Sequence, residues 1–273
     1  MYGRVVLVAA LVLIAGCSAF GSGDQSQQTV TPAPVPEPTA PNASQGETRL
    51  SGEEVPEPAL LADAHVQAIR GESYTWRDRY VVVRTGENTS SRSVTRRRAR
   101  VETETTYTYW TNRWQTTTRN PFRFYGEYSE YATERARYAR YVESGVLVHE
   151  RFPPRAAATR IGGMAKSSIR RYLAVENSSA RPVQIQGDGY YELTGTGYAG
   201  PDDSTVRNYS VEALVSHDGF IISLSASFVR VRNYQRKEVT YEYEYDRVGF
   251  TTVDRPTWVE DHWQSTDNET ATP

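Results

Sequence analysis

Between Glu238 and Asp246 the side chains alternate without a break: Tyr241, Tyr243 and Tyr245 fall on one side, Glu242, Glu244 and Asp246 on the other. Successive residues of a strand point to opposite faces, so this run describes a half-exposed antiparallel strand with an aromatic inner face. The segment commits the chain to a sheet that packs on one face and meets water on the other.

Other segments extend the same reading. Tyr74 to Thr85 carries the apolar cluster Tyr80-Val81-Val82-Val83, and Gly86-Glu87-Asn88 makes a turn. Ser93 to Val101, Thr103 to Thr111 and Trp114 to Thr118 follow as strands, until Arg119-Asn120-Pro121 breaks the chain. Glu134 to Val142 and Val146 to Phe152 flank Glu143-Ser144-Gly145 as a hairpin. Val183 to Leu193, Val206 to Val215 and Phe220 to Arg232 complete the strands, with His217-Asp218-Gly219 turning between the last two.

Two helices interrupt them. Glu57 to Ile69 places Leu60, Leu61, Ala64 and Ala68 near one face and stops at Gly71. A second, from about Met164 to Ala174, begins after Gly162-Gly163 and gathers Met164, Ile169, Tyr172 and Leu173. The expected architecture is α+β: one curved antiparallel sheet, a half-barrel, with two helices covering its concave side.

The N-terminal segment has a different composition. One Arg precedes an uncharged run, Val5 to Gly16, which ends at Cys17, the single cysteine of 273 residues. A basic start, a short apolar core and small residues make a secretory signal. With Cys next, the pattern resembles a lipoprotein signal, in which the thiol is acylated and cleavage makes Cys17 the new N-terminus. The core falls short of the roughly 20 apolar residues of a spanning helix. Ser18 to Pro58 then holds seven of the 14 prolines and reads as a tether without core material. The expected division is residues 1–16 signal peptide, 17–57 disordered Pro/Thr-rich tether, 58–263 folded domain and 264–273 polar tail. The implied location is the extracellular side of the cell membrane, held by a lipid anchor.

Charge is unevenly distributed. Arg70 to Arg171 holds 21 basic against 10 acidic residues, whereas Tyr172 to Pro273 holds 8 against 16. Either the first half presents a cationic face to an anionic partner, or strands from the two halves pair and neutralise each other. The Arg96-Arg97-Arg98 run with Arg100 reads as a solvated edge strand with alternating faces, and export argues against nucleic acid as a partner. Of the 31 basic residues only Lys166 and Lys237 are lysines, a ratio that salt-loving archaea produce.

The anchor, the Pro/Thr tether, the order of helices and strands, and above all the closing segment Asp218 to Trp258 (DGFIISLSASFVRV…EVTYEYEYDRVGFTTVDRPTW) together resemble haloarchaeal lipoproteins. Their domain looks like the half-barrel of LolA-type lipoprotein carriers and of the LppX and LprG lipid-binding lipoproteins. The resemblance implies an apolar cavity between the concave face and the helices. Trp76, Trp110, Tyr241, Tyr243 and Tyr245 are its candidate liners, and Thr103, Thr105, Tyr107 and Tyr109 would make the inner face unusually polar.

Catalytic patterns are weak. His65, His149, His217 and His262 fit no zinc spacing. Gly195, Gly197 and Gly200 spell GxGxxG, but Pro201-Asp202-Asp203 follows where a helix should receive phosphate, so the segment reads as a loop. No GxSxG or HExxH occurs. Among five sequons, Asn88, Asn177 and Asn208 are candidates for N-glycosylation. The expectation is a non-enzymatic, membrane-anchored lipoprotein without cofactor or metal that binds or carries a lipid or other hydrophobic ligand. The alternative is a surface-interaction or envelope-structural lipoprotein with no ligand cavity.

Overall fold

The tyrosine ladder lies in the middle of the sheet. The computed structural model describes residues 55–86, 89–118, 123–201, 205–232 and 235–269. Cys17, residues 18–54 of the tether and Asn88 lie outside them, as does the expected break at 119–121, whereas Val55, read as tether, packs against the core.

After helix α1 (Pro58–Ala68) come β1 (Tyr74–Thr85), β2 (Ser90–Val101), β3 (Tyr107–Thr117), β4 (Arg123–Ala132), β5 (Arg137–Glu143) and β6 (Val146–Phe152). A π-helical turn, Ala158–Gly162, leads into α2 (Gly163–Tyr172). Then follow β7 (Val175–Ile185), β8 (Asp188–Tyr198), β9 (Val206–Ser216), β10 (Ile221–Arg232), β11 (Gln235–Asp246) and α3 (Thr257–Glu269).

All eleven strands form one open sheet in the order β6-β5-β4-β3-β2-β1-β11-β10-β9-β8-β7, every neighbour antiparallel. The expected α+β class and single open antiparallel sheet are what the chain adopts. The first and last strands pair at the centre, and the helical segment joins the two edges, β6 and β7.

The inner face buries Trp76, Ala99, Tyr107, Tyr241, Leu224, Val211 and Ala213 as one continuous cluster. Onto it α1 sets Leu61, Ala62 and His65, and α2 sets Ala165, Ile169 and Tyr172. Each buried ring removes about 150–250 Å² from water, so the aromatic ladder dominates the driving force.

Pairing β1 with β11 decides the charge question. Arg77 meets Glu244 at 2.9 Å and also Asp246, and Arg79 meets Glu242 at 3.5 Å. The basic and acidic halves of the chain neutralise each other along this seam. These pairs are half-exposed and worth at most about 1 kcal/mol each, so they set register more than stability.

Several local expectations are corrected. β2 is no edge strand; it lies between β1 and β3. Thr103 and Thr105 belong to a turn, in which Thr103 Oγ1 accepts the amides of Thr105 and Thr106, and 107–117 is one strand, not two. Val183 to Leu193 spans two strands, because Gln186 (φ 56°) and Gly187 (φ 97°) both take the left-handed conformation of a tight hairpin turn. β7 has mostly exposed side chains and carries Pro182, which only an edge strand tolerates without losing a ladder bond. Its lack of apolar alternation hid it, and β4 was also not anticipated. Gly162-Gly163 lies inside the helical stretch, not before it, with Gly162 turned toward Ile69 and Val66 of the α1 segment.

A third helix was not expected, and α3 continues to Glu269, into the segment read as a polar tail. It covers the outer face, opposite α1 and α2. Trp263 meets Tyr138 edge-on at 4.8 Å, Trp258 lies against Arg140 and His149, and Val259 is fully buried. Tyr138 and Arg140 flank the buried, inward-facing Ala139, so they belong to the other side. The lead-in is tied down where Arg100 donates to the Thr252 carbonyl and the Val253 amide donates to Glu102.

Candidate functional site

The inner face is filled rather than hollow where the helices cross it. An opening of about 690 Å³ lies between α2, the π-helical turn and strands β1, β2 and β11. The helical period builds its wall: Met164, Ser167, Ser168 and Arg171 line the pocket, while Lys166 and Arg170 turn the other way to pair with Asp63 of α1.

Its floor is a buried polar network. The Asp78 carboxylate, with a fully buried side chain, accepts Arg97 Nε at 2.8 Å and a second bond from the same guanidinium. Tyr241 donates to Asp78 at 3.2 Å and lies 2.8 Å from the Ser168 hydroxyl, which ties the helix to the sheet. Burial pushes the Asp78 carboxyl above its ordinary value, and Arg97 and then Tyr241 pull it back only in part. The Arg97 guanidinium also sits 5.6 Å over the Trp76 ring.

A second network stands behind the π-helical turn. Glu130, also fully buried, accepts Tyr128 at 2.6 Å, Tyr107 at 3.0 Å, Arg160 at 3.3 Å and Arg137 at 3.4 Å. Burial opposes its charge, but Tyr128, Arg160, Tyr107 and Arg137 outweigh it and hold the carboxyl below its ordinary value. Arg160 lies 4.6 Å over the Tyr109 ring and lines the pocket with its remaining donors.

Of the five candidate liners, only Tyr241 reaches this pocket, stacked on Tyr172 at 4.4 Å. Trp76 is sealed in the core, and Tyr243 and Tyr245 lie under α1, around His65. Trp110 points to the other face of the sheet, where its Nε1 donates to Glu127 at 2.8 Å. There it borders a trough of about 750 Å³, together with Arg96, Arg98, Ile185 and Leu214. Tyr243 also borders that trough, so two of the five meet there, but the five line no common space.

Asn177 and Asn208 are both exposed, on β7 and β9, and Asn208 takes a left-handed φ of 52°. His149 and His262, far apart in sequence, stack at 4.1 Å beneath α3. Gly195 lies inside β8, where a Cβ would come within 2.9 Å of Val175 and Val211, so its smallness serves strand packing. The GxGxxG match is thus mostly strand rather than loop.

Asp78, Arg97, Glu130 and Arg160 were not singled out from sequence. A signal existed for one: in a strand with Ala99 and Val101 facing inward, Arg97 shares their face and needs a buried partner.

The two hydroxyls of the ladder make a direct comparison. Tyr241→Phe removes a hydrogen bond to a buried carboxylate and is expected to cost about 1–3 kcal/mol. The Tyr243 hydroxyl is buried with no hydrogen-bond partner among the described residues, so Tyr243→Phe should cost less than about 0.5 kcal/mol or stabilise. Urea unfolding of both variants checks the order, and equal losses would contradict it.

The fold and pocket together define an open antiparallel half-barrel, helix-covered on the inner face, with a cationic opening beside its central helix. No protein-family model and no curated protein matches the chain. Among solved structures it is similar to LprF from Mycobacterium bovis, at 12% identity and a TM-score of 0.32, covering 75% of this chain and 98% of that one. A DUF1329 family protein from Desulfovibrio piger gives 8% identity and a TM-score of 0.24, over 75% of this chain and 96% of that one. A Vibrio parahaemolyticus domain assigned to outer-membrane lipoprotein sorting gives 9% identity and a TM-score of 0.22, with the same coverage.

Proposed function

We propose that this protein is a non-enzymatic, extracytoplasmic lipoprotein of the haloarchaeal type, anchored through Cys17, that binds a lipid or other hydrophobic ligand beside α2. The observation that carries the reading is the 690 Å³ opening on the helix-covered face. It has the volume of a small-molecule site and an apolar wall of Tyr80, Met164, Tyr172 and Tyr241. The apolar run before Cys17 and the Pro-rich segment after it supply the anchor and the spacer.

One experiment tests both parts. Full-length protein extracted from its own membrane should carry a hydrophobic ligand in native mass spectrometry and, once delipidated, take up one fluorescent acyl probe. Ser167→Trp, at an exposed position on the pocket wall, should cut uptake at least tenfold without lowering the melting temperature. Cys17→Ser should release the protein from the membrane fraction. A delipidated protein that takes up no probe would overturn ligand binding, and a Cys17→Ser variant that still partitions with membranes would overturn the anchor.

The outer-face trough favours a second reading, a surface-interaction role. Arg96 and Arg98 project into it with no ion-pair partner among the described residues.

A further inference from the structure

The charge around the inner opening is out of balance. Four guanidinium groups line it, those of Arg97, Arg155, Arg160 and Arg171. The two carboxylates that bond to these guanidinium groups are already committed: Asp78 is taken up by Arg97 and Tyr241, and Glu130 by two arginines and two tyrosines. Neither reaches Arg155 or Arg171, which are exposed at the rim and have no carboxylate partner among the described residues. The other two cations of α2, Lys166 and Arg170, share the carboxylate of Asp63 on the side away from the pocket.

We propose that the pocket selects an anionic amphiphile, whose phosphate-type head is held by Arg155 and Arg171 while its apolar part lies along Tyr80, Met164 and Tyr172. This rests on the ligand-binding reading given above. A guanidinium is planar, permanently charged and weakly hydrated, and it matches a phosphate oxygen pair with two parallel donors. Arg97 and Arg160 are held in place from behind by buried carboxylates, so they contribute a preorganised positive wall at little further ordering cost. The Ser167 and Thr159 hydroxyls at the same opening suit the remaining polar atoms of a head group.

The test uses delipidated full-length protein and two probes with identical short acyl chains, dioctanoyl phosphatidylglycerol and neutral dioctanoylglycerol, below their aggregation concentrations. The anionic probe is expected to bind at least tenfold more tightly by native mass spectrometry or calorimetry. In Arg155→Gln/Arg171→Gln the ratio should fall toward one, while Arg181→Gln, at the far edge of the sheet, leaves it unchanged. Equal affinity for the two probes in the natural protein overturns the head-group inference and leaves amphiphile binding standing. Failure of both probes overturns the two readings together. Inorganic phosphate alone forms the third arm. Binding as tight as the anionic lipid would support the oxyanion site but overturn the lipid as its source.

Discussion

Glu130→Leu is expected to lower the free energy of unfolding by about 3–5 kcal/mol, the largest single effect in the domain. The carboxylate has no exposed side-chain surface and serves four donors, of which Arg137 and Arg160 are themselves only 16% and 23% exposed. Replacing an entire buried ionic cluster by apolar groups can be neutral. Removing its one anion is different, because two half-buried guanidinium groups and the Tyr107 and Tyr128 hydroxyls then lack their acceptor. Arg160 belongs to the π-helical turn, so the loss should also loosen that turn from β4 and weaken the pocket wall. Glu130→Gln keeps the shape and two polar atoms and should cost roughly half as much. Urea unfolding at neutral pH with an unchanged m-value checks this. A loss under about 1 kcal/mol would mean that both arginines swing freely into water.

The second large effect is a loss of stability in mild acid that traces to His65. This imidazole is fully buried between α1 and the ladder. Its Nδ1 accepts the Ile221 amide at 3.2 Å, which leaves the proton on Nε2, 3.1 Å from the Tyr245 hydroxyl. Phe220 stacks on it at 5.5 Å. Burial pushes its pKa down from 6.5 to about 3. The folded state therefore refuses a proton that the unfolded state accepts, and stability is full above pH 6.5 and falls as the pH drops from there toward 3. The slope approaches about 1.4 kcal/mol per pH unit, which gives a loss of roughly 2 kcal/mol between pH 6.5 and 4.5.

Other groups titrate nearby in pH. Glu130, held low, adds loss in the same direction below its ordinary value, whereas Asp78, raised by burial, acts in the opposite sense. The check is thus a difference between two proteins. His65→Gln should be less stable at pH 8, yet decline much less than the natural protein between pH 6.5 and 4.5, the remaining slope including His149, whose pKa burial also lowers. Parallel pH profiles for the two would remove His65 as the cause.

Local sequence was informative wherever one residue's neighbours along the chain settle its environment. The alternation at Tyr241, Tyr243 and Tyr245 assigned the buried face of β11 correctly, and the clusters in β1, β9 and β10 behaved likewise. The hairpin at Ser144-Gly145 is present, with both residues at positive φ, as a tight turn requires. Strands without apolar alternation, such as β7, were invisible because an edge position asks little of its side chains. α3 was missed for a related reason: Trp258, Val259 and Trp263 make sense as a packing set only once β5 and β6 lie beneath them.

The candidate site was less accessible to sequence, because its members meet across large separations. Asp78 and Arg97 face each other on adjacent strands, but Ser168 and Tyr241 join them from a helix and from the opposite end of the chain. Nothing near Glu130 in sequence announces Arg160. Trp110 shows the converse limit: the resemblance and its aromatic side chain made it a candidate liner, and its register opposite Arg98 placed it on the outer face.

The sequence by itself determined most of the strands, though not β4 or β7, which side of those strands is apolar, and that a sheet built from them needs helices to cover one face. These follow from the two-residue period of an extended chain and the free energy of removing aromatic surface from water. Tertiary structure alone decided that β1 closes on β11, so that two oppositely charged halves cancel, that α3 crosses to the outer side, and that four arginines converge on one opening. Such outcomes depend on register and docking between distant segments, where each group's energy is set by the partner that the whole sheet brings to it.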